Sequence, residues 1–170
     1  MSSEHAPRPD TTPALSVPSE LPPATVEHRL RLDDQLCFAL CRATNAVVRA
    51  YRPLLQALGL THPQYLVLMA LWETDHLTVT DLATRLALPA HGLSPVLARL
   101  ESFGLVDRGR DTTDRRIVTV ALTGAGRDLE QRAALAQNAV VQRSTLNPDA
   151  LSQLRNTLHL LTSQLAATAA

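Results

Sequence analysis

One stretch near the middle of the chain, LVDRGRDTTDRRIVTVALT, constrains the fold more than any other. Its two ends, LVDR and IVTVAL, are rich in β-forming residues, and the GRDTTD between them has the composition of a turn. Helical patterns flank this stretch on both sides. The sequence therefore predicts a mainly α chain with one small β-hairpin, an α+β fold class.

Four segments with helical signals precede the hairpin. The second begins with THPQ, which has the form of a capping box with Thr61 as N-cap and Gln64 three residues later, and its apolar character predicts a central helix. We expect Thr80 to cap a short helix, DLATRLAL, and we expect the next helix to end at Gly104. Two short helices followed by a hairpin with a basic tip predict a winged helix-turn-helix over residues 61–123.

Longer helices are predicted on either side of this module. Before it, apolar residues recur at steps of three and four from Asp33, the expected N-cap, and continue through Pro53 towards Gly59. This pattern predicts an N-terminal dimerisation and sensor helix within residues 26–60. Residues 124–170 are predicted to form C-terminal dimerisation helices.

The last of these helices carries a long leucine seam. Asn147 followed by Pro148 predicts its start. The leucines then recur at steps of three and four, at Leu151, Leu154, Leu158, Leu161 and Leu165. Such a seam packs either inside its own subunit or against a second copy of the chain, and we favour the second copy.

The N-terminus and the overall composition restrict the class of protein. Residues 1–25 hold six of the eleven prolines, so we expect a disordered, proline-rich tail. No apolar run approaches the roughly 18 to 20 residues of a membrane span, and no secretory signal is recognisable. These features predict a cytoplasmic protein with reduced thiols and no membrane partner. No cofactor is predicted.

The net charge of +0 gives no hint of a nucleic-acid partner, but the placement of charge does. Between residues 84 and 120 there are six arginines and four acidic residues, and three of the arginines lie at or next to the hairpin tip. We expect Asp114 to hold Arg110 while Arg116 enters a groove, and Arg99 to pair with guanine. The alternative is a surface hairpin with ordinary ion pairs. The candidate DNA-binding residues are His91, Ser94, Pro95, Arg99, Arg110, Asp114, Arg115 and Arg116.

The hairpin and the residues after it, GLVDRGRDTTDRRIVTVALTGAGRDL, resemble the wing and following helix of MarR-type regulators. The D-x-R…LT-x-x-G signature of that family is matched by Asp114, Arg116, Leu122, Thr123 and Gly126. The resemblance spans roughly residues 30–165. It implies a homodimer with interlocked N- and C-terminal helices, in which each winged module reads half of a palindromic site in double-stranded DNA.

Three further segments, LDDQLCFALC, YRPLLQALGLTHPQYLVLMALWE and LTVTDL, resemble the organic-hydroperoxide-sensing, OhrR-type branch of that family. In that branch, the cysteine matching Cys37 reacts with peroxide, and a tyrosine matching Tyr51 reaches it from the other subunit. The resemblance implies a repressor that leaves DNA on oxidation. The chain departs from the branch at Cys41 and His62, where tyrosine is usual, and it has no cysteine in its C-terminal helices.

The chemistry expected of Cys37 follows from its place in the sequence. Peroxide attacks a thiolate, which the positive end of a helix favours and which Tyr51 or His62 can stabilise by donating a hydrogen bond. The neighbours Leu36 and Phe38 suit an organic hydroperoxide better than H2O2. The resulting sulfenic acid can persist, or condense with a thiol: Cys41, a thiol of the second subunit, or a low-molecular-weight thiol. For His62 the alternatives are a pH-sensitive neighbour and a helix-start residue with no role.

Three other functions compete with this interpretation. A thiol peroxidase needs a catalytic base and a resolving route that the sequence does not clearly offer, so we predict that the chain is not an enzyme. A MarR-type regulator released by a small lipophilic or phenolic ligand would use the cysteines only to line a pocket. A zinc site from Cys37, Cys41 and His62 has no clear fourth ligand.

Overall fold

The computed structural model describes residues 31–110, 117–144 and 146–168 of the 170-residue chain. The predicted tail and the tip of the hairpin, residues 111–116, lie outside the described residues. The α-helices are α1 Leu36–Ala57, α2 His62–Glu73, α3 Val79–Arg85, α4 Ala90–Ser102, α5 Gly124–Arg143 and α6 Pro148–Thr168, and the strands are β1 Leu77–Thr78, β2 Val106–Arg110 and β3 Val118–Leu122. The predicted mainly α fold with a small β-wing is confirmed.

The start of α1 differs from the prediction. Asp33 lies in a short 3-10 turn, Leu32–Asp34, and does not cap the α-helix. Gln35 has an extended backbone (φ −89°, ψ 123°) and separates that turn from α1, which begins at Leu36. Cys37 is therefore the second residue of α1. The helix crosses the boundary between two compact units, which lies between Leu40 and Cys41, and continues through Pro53 to Ala57.

Helix α2 lies at the centre of the larger unit, as its apolar sequence predicts. The capping box at its start is confirmed: the Thr61 N–H donates to Gln64 Oε1 at 2.8 Å. Val67, Leu68 and Leu71 of this helix are each 0% exposed. They pack with buried leucines of α3, α4 and α5, so α2 connects the helical and the winged parts of the core.

The predicted cap of α3 is wrong by two residues. Thr78 is the N-cap, and its Oγ1 accepts from the Asp81 N–H at 3.0 Å. The Asp81 carboxylate in turn accepts from the Thr78 N–H and hydroxyl. Thr80 has no such partner three residues later in the sequence, because Ala83 stands there. Thr78 also belongs to β1, a two-residue strand that the sequence did not reveal.

The hairpin forms the predicted wing. The strands pair in the order β1-β3-β2, all antiparallel, with Val106 opposite Leu122 and Arg110 opposite Val118. Helix α4 ends before Gly104, whose φ of +66° is the left-handed conformation predicted there. Helices α3 and α4 followed by this hairpin complete a winged helix-turn-helix.

The predicted start of α6 is confirmed, and its leucine seam is uncovered within the chain. Asn147 Oδ1 accepts from the Ala150 N–H at 2.8 Å. No residue of α6 is buried, and Leu154 and Leu165 are 48% and 62% exposed. The seam therefore does not pack into the core of its own chain, which leaves a second copy as its proposed partner.

No single helix in the described ranges is long and apolar enough to cross a membrane. Helices α1 and α2 together pass the same criterion on length and composition, but a bend of 79° separates them.

Candidate nucleic-acid interface and cysteine region

The first two turns of α4 carry three of the predicted DNA-binding residues on exposed positions. His91, Ser94 and Pro95 are all exposed, and α4 begins after Pro89 with no side-chain cap. Residues near the start of a recognition helix are the ones that reach base edges. Pro95 lacks an N–H, so the carbonyl of His91 has no helical donor four residues later. The start of α4 thus presents both side-chain and backbone polar groups.

Arg99 lies further along α4, and the structure places it against an aromatic ring. Its guanidinium carbon is 4.4 Å from the centre of the Phe103 ring, a cation–π geometry. Both residues are exposed. The guanidinium that is predicted to contact guanine is therefore stacked on Phe103 near the end of α4.

The base of the wing is anchored to α4 by an ion pair. Arg108 Nε donates to Glu101 Oε2 at 2.8 Å, and Arg108 Nη2 contacts the same oxygen. The hydrogen bond from Arg108 holds the pKa of Glu101 below its usual value. Arg108 is thus committed to a protein contact, and it keeps β2 beside the recognition helix.

Arg110 lies two residues beyond Arg108 on the same side of β2 and is exposed. The other candidates at the tip, Asp114, Arg115 and Arg116, lie outside the described residues. Ser94 and Arg108 line a cleft of about 470 Å³ between α3, α4 and the wing, together with Thr78, Val79, Thr80, Leu97, Ile117 and Val118. The structure therefore brings Ser94 and the wing to one surface.

The two cysteines are both free and exposed. Cys37 lies in the first turn of α1, where backbone N–H groups have no partner within the helix. The alternative of Cys37 as a buried spacer is not supported by this exposed position. Cys41 follows four residues later, in the same helix and in the second compact unit.

Tyr51 and His62, predicted to support the thiolate, are in contact. The centres of their rings are 5.9 Å apart in an edge-on arrangement. A third ring, Tyr65, lies 5.6 Å from Tyr51 and is only 3% exposed. Tyr65 was not predicted as a site residue. The sequence offered one signal for it: Tyr65 is one of only two tyrosines in the chain, and it lies three residues, about one helical turn, after His62.

Burial shifts the pKa values of Tyr51, His62 and Tyr65. Burial raises the pKa of Tyr51, and a hydrogen bond with Tyr65 partly opposes that rise. Burial, the charge on Tyr51 and the same hydrogen bond raise the pKa of Tyr65 to about 12. Burial lowers the pKa of His62 from 6.5, so its ring is neutral at pH 7. Both tyrosines are therefore protonated donors at neutral pH.

Tyr65 connects this cluster, through Trp72, to the helix that follows the wing. The Tyr65 ring lies 6.2 Å from the Trp72 ring, and Trp72 Nε1 donates to the Gly126 carbonyl oxygen at 2.9 Å. Gly126 belongs to α5, which follows the wing directly. Helix α2 therefore connects the tyrosine pair to the end of the hairpin.

No three His, Cys, Asp or Glu side chains within residues 31–110, 117–144 and 146–168 are grouped as ligands for a metal ion.

The chain is similar to known transcription regulators. The sequence model of the MarR family matches residues 60–118. An organic hydroperoxide resistance transcriptional regulator of Bacillus subtilis is 36% identical over 132 residues, which are 78% of this chain and 90% of that protein.

Two solved structures add to this similarity. Reduced AbfR bound to DNA, a protein of Staphylococcus epidermidis, has a TM-score of 0.69 at 28% identity, over 82% of this chain and 96% of that one. Bordetella bronchiseptica BpsR, whose DNA binding is regulated by 6-hydroxynicotinic acid, has a TM-score of 0.70 at 26% identity, over 76% and 99%.

Proposed function

The chain belongs to the MarR family of transcriptional regulators, and on that premise we propose that it is a dimeric, DNA-binding repressor released by oxidation of Cys37. The observation that carries the proposal is the exposed Cys37 thiol in the first turn of α1, within the motif LDDQLCFALC. The similarity to the Bacillus subtilis regulator supports an organic hydroperoxide as the oxidant.

In this proposal, DNA is read by α4 and by the wing. His91 and Ser94 approach base edges in the major groove, because they are exposed at the start of the recognition helix. Pro95 shapes that same turn. On the wing, Arg110, Arg115 and Arg116 contact phosphates or the flanking groove, with Asp114 fixing their orientation.

Arg99 is proposed to contact guanine from the second half of α4. Its stacking on Phe103 limits the directions in which the guanidinium can point. A planar guanidinium matches the two acceptors on the major-groove edge of guanine.

The oxidation step requires a thiolate at Cys37. The thiolate sulfur attacks the outer peroxide oxygen, the O–O bond breaks, and the departing alkoxide takes up a proton to leave as an alcohol. The product is a sulfenic acid. Tyr51 is proposed to donate a hydrogen bond to the thiolate of Cys37 of the partner subunit, and His62 to support Tyr51 through their ring contact.

Cys41 is the proposed second thiol. Two residues four apart on a helix have Cα atoms about 6 Å apart, close to the upper limit for a disulfide, so closing it would unwind the start of α1. An intersubunit disulfide or a mixed disulfide with a low-molecular-weight thiol avoids that unwinding. Mass spectrometry of the oxidised protein separates a loss of two hydrogens from an added thiol or a single added oxygen.

Release from DNA is proposed to result from a change in the arrangement of the two subunits. The exposed leucine seam of α6 is the proposed contact between subunits, and α1 carries the oxidised cysteine. A change in α1 would alter the spacing between two recognition helices, which must match the spacing of the half-sites.

A gel-shift titration tests the proposal. The DNA is a duplex selected from a random-sequence library by the reduced wild-type protein. Wild type, Cys37→Ser and Cys41→Ser are titrated with cumene hydroperoxide, H2O2 and hypochlorite. We expect wild type to be released, with cumene hydroperoxide the most effective oxidant, and Cys37→Ser to stay bound. Release of Cys37→Ser at the wild-type oxidant concentration would contradict the proposal.

A second function is favoured by one cavity. A space of about 260 Å³ is lined by Val48, Arg52, Leu55, Gln56, Leu60, Thr61, His62 and Pro63. A lining that combines apolar side chains with polar ones and the Arg52 guanidinium suits a small aromatic acid, and the similar protein BpsR is regulated by 6-hydroxynicotinic acid. Release from DNA by that acid under anaerobic, reducing conditions would support this alternative.

A further inference from the structure

We propose that an open groove between the ends of α1 and α4 and the first half of α5 is a binding site for a medium-chain alkyl carboxylate. The groove has a volume of about 400 Å³, and leucine side chains, the Phe103 ring and the Arg132 guanidinium line it. None of its lining residues belongs to the cysteine motif or to the cavity beside His62. The inference therefore goes beyond the proposed function.

Two walls of the groove are helix ends of the same kind. Each helix is followed by a glycine in the left-handed conformation, Gly59 after α1 and Gly104 after α4, with φ values of +73° and +66°. The N–H of the next residue bonds back to the helix, at 2.9 Å for Leu60 and 3.0 Å for Leu105. Space stays open at Gly59, where an added Cβ would meet nothing within 4 Å. The groove is therefore preformed between two turns whose shape is fixed by hydrogen bonds.

The lining of the groove suits an alkyl chain. Leu129 is buried, and Leu58 and Leu105 are partly buried against the core. Phe103, at the end of α4, is a large apolar side chain left 43% exposed. An alkyl chain that covers this ring and the leucines removes apolar surface from water, which stabilises the complex.

Arg132 supplies the positive charge at the groove. Ala125, Leu129 and Arg132 recur at steps of four and three, so they share one side of α5. Arg132 forms no ion pair or hydrogen bond with another side chain of residues 31–110, 117–144 and 146–168. The other guanidinium nearby, that of Arg99, is stacked 4.4 Å from the centre of the Phe103 ring. Because the chain does not neutralise Arg132, a carboxylate complements it.

The orientation of the ligand follows from the charges around the groove. The C-terminal ends of α1 and α4 carry a partial negative potential, which is unfavourable for an anion. The carboxylate is therefore placed at Arg132, on the α5 side, and the alkyl chain lies between the leucines towards Phe103. A ligand with an ammonium headgroup would be repelled by Arg132.

Calorimetry on the reduced, full-length protein tests the site, with sodium decanoate below its micelle concentration as the probe. We expect one decanoate per subunit, and we expect Arg132→Gln to weaken binding about tenfold, the effect of one charge-assisted hydrogen bond. Ala125→Leu, which fills the groove and keeps a good helix former, should also weaken binding. Arg52→Gln, in the cavity beside His62, is the matched control and should bind like wild type. Decan-1-ol, which has no charge, should bind wild type and Arg132→Gln equally.

Fluorine NMR locates the ligand on the protein. The chain has two phenylalanines, Phe38 and Phe103, so labelling with 4-fluorophenylalanine gives two signals, which the Phe38→Leu variant assigns. Decanoate should shift the Phe103 signal saturably, in parallel with the calorimetric titration, and should leave the Phe38 signal in place. Fluorescence of Trp72, the one tryptophan, checks that each variant is folded.

Three results would overturn the inference: equal affinity of wild type and Arg132→Gln for decanoate, weaker binding by Arg52→Gln, or a Phe103 signal that decanoate does not move. A Phe103 signal that moves with protein concentration and not with decanoate would show that a second copy of the chain covers the groove. Neither experiment contains DNA or an oxidant. Failure of the proposed function is therefore seen separately, in the gel-shift titration.

Discussion

Asp75 Oδ1 accepts the backbone N–H of Leu122 at 2.8 Å, a bond that joins the end of α2 to the end of β3 across 47 positions of the chain. The same oxygen accepts from the His76 N–H, also at 2.8 Å. The other oxygen, Oδ2, accepts from Arg127 Nη2 at 2.8 Å. One carboxylate thus fixes the end of α2, the helix that carries Tyr65, to the last strand of the wing and to α5.

Replacing Asp75 should lower stability in a pH-dependent manner. Partial burial alone would raise the pKa of Asp75, but hydrogen bonds from Leu122, His76 and Arg127 outweigh it and lower the pKa from 3.8. This stabilisation is present above the unfolded pKa and is lost as the pH falls through the lower, folded pKa. Asp75→Ala should cost about 1 to 3 kcal/mol at pH 7 by urea unfolding, and Asp75→Asn less, because it keeps an acceptor.

At pH 3, below the unfolded pKa of 3.8, the difference between wild type and Asp75→Asn should shrink, since the unfolded chain then binds a proton that the folded carboxylate resists. Equal stability of Asp75→Ala and wild type at pH 7 would show that the three hydrogen bonds do not stabilise the fold.

Gly126→Ala should disrupt the junction between the wing and α5. A Cβ on Gly126 would lie 2.1 Å from the Leu105 carbonyl oxygen, which accepts the Thr123 N–H. Because the obstacle is backbone, we expect a loss of about 3 kcal/mol or more in thermal unfolding. The matched control is Gly124→Ala in the same helix, where nothing lies within 4 Å, and it should be neutral or slightly stabilising. Similar effects of the two substitutions would contradict this explanation.

Leu158→Asp should weaken the dimer without unfolding the chain. Leu158 is 36% exposed in a helix that buries no residue in its own chain, so a carboxylate there costs little until a second subunit covers it. Sedimentation velocity should show wild type as a dimer and the variant shifted towards monomer. Asn156→Asp, on the opposite side of α6 at 100° per residue, is the control and should remain dimeric. A dimeric Leu158→Asp protein would place the interface elsewhere.

Arginines of the wing should contribute to the salt dependence of DNA binding. Each phosphate contact adds about 0.9 to the slope of log affinity against log salt, so Arg115→Ala and Arg116→Ala should each reduce it by about one. Fluorescence anisotropy at several salt concentrations measures the slope. Arg143→Ala, at the exposed end of α5, should leave it unchanged. An unchanged slope in both wing variants would argue against phosphate contacts there.

The elements that the sequence predicted correctly are those specified by local chemistry. The capping box at Thr61 and Gln64, the Asn147–Pro148 start and Gly104 each depend on residues within four positions of one another. The errors at Asp33 and Thr80 arose because several polar residues near each helix start can serve as a cap. For α3, the choice of Thr78 was decided by Asp81 and by the pairing of β1 with β3.

The parts of the site that the sequence did not reveal depend on contacts between distant residues. Tyr65 is recognisable as a partner of Tyr51 only once α1 and α2 are packed, and Asp75 meets Leu122 only once the sheet is formed. The exposure of Cys37 likewise required the true start of α1. The motif residues can be named from the sequence as candidates, whereas the contacts that surround them cannot.

The central claim is tested most directly by the stoichiometry of release. Reduced protein bound to a fluorescent operator duplex is titrated with cumene hydroperoxide, and release is followed by anisotropy together with the loss of free Cys37 thiol. The account predicts release that is complete near one equivalent of oxidant per Cys37, in parallel with thiol loss, and no release for Cys37→Ser. Oxidation of Cys37 with the DNA still bound, or full release of Cys37→Ser, would contradict it.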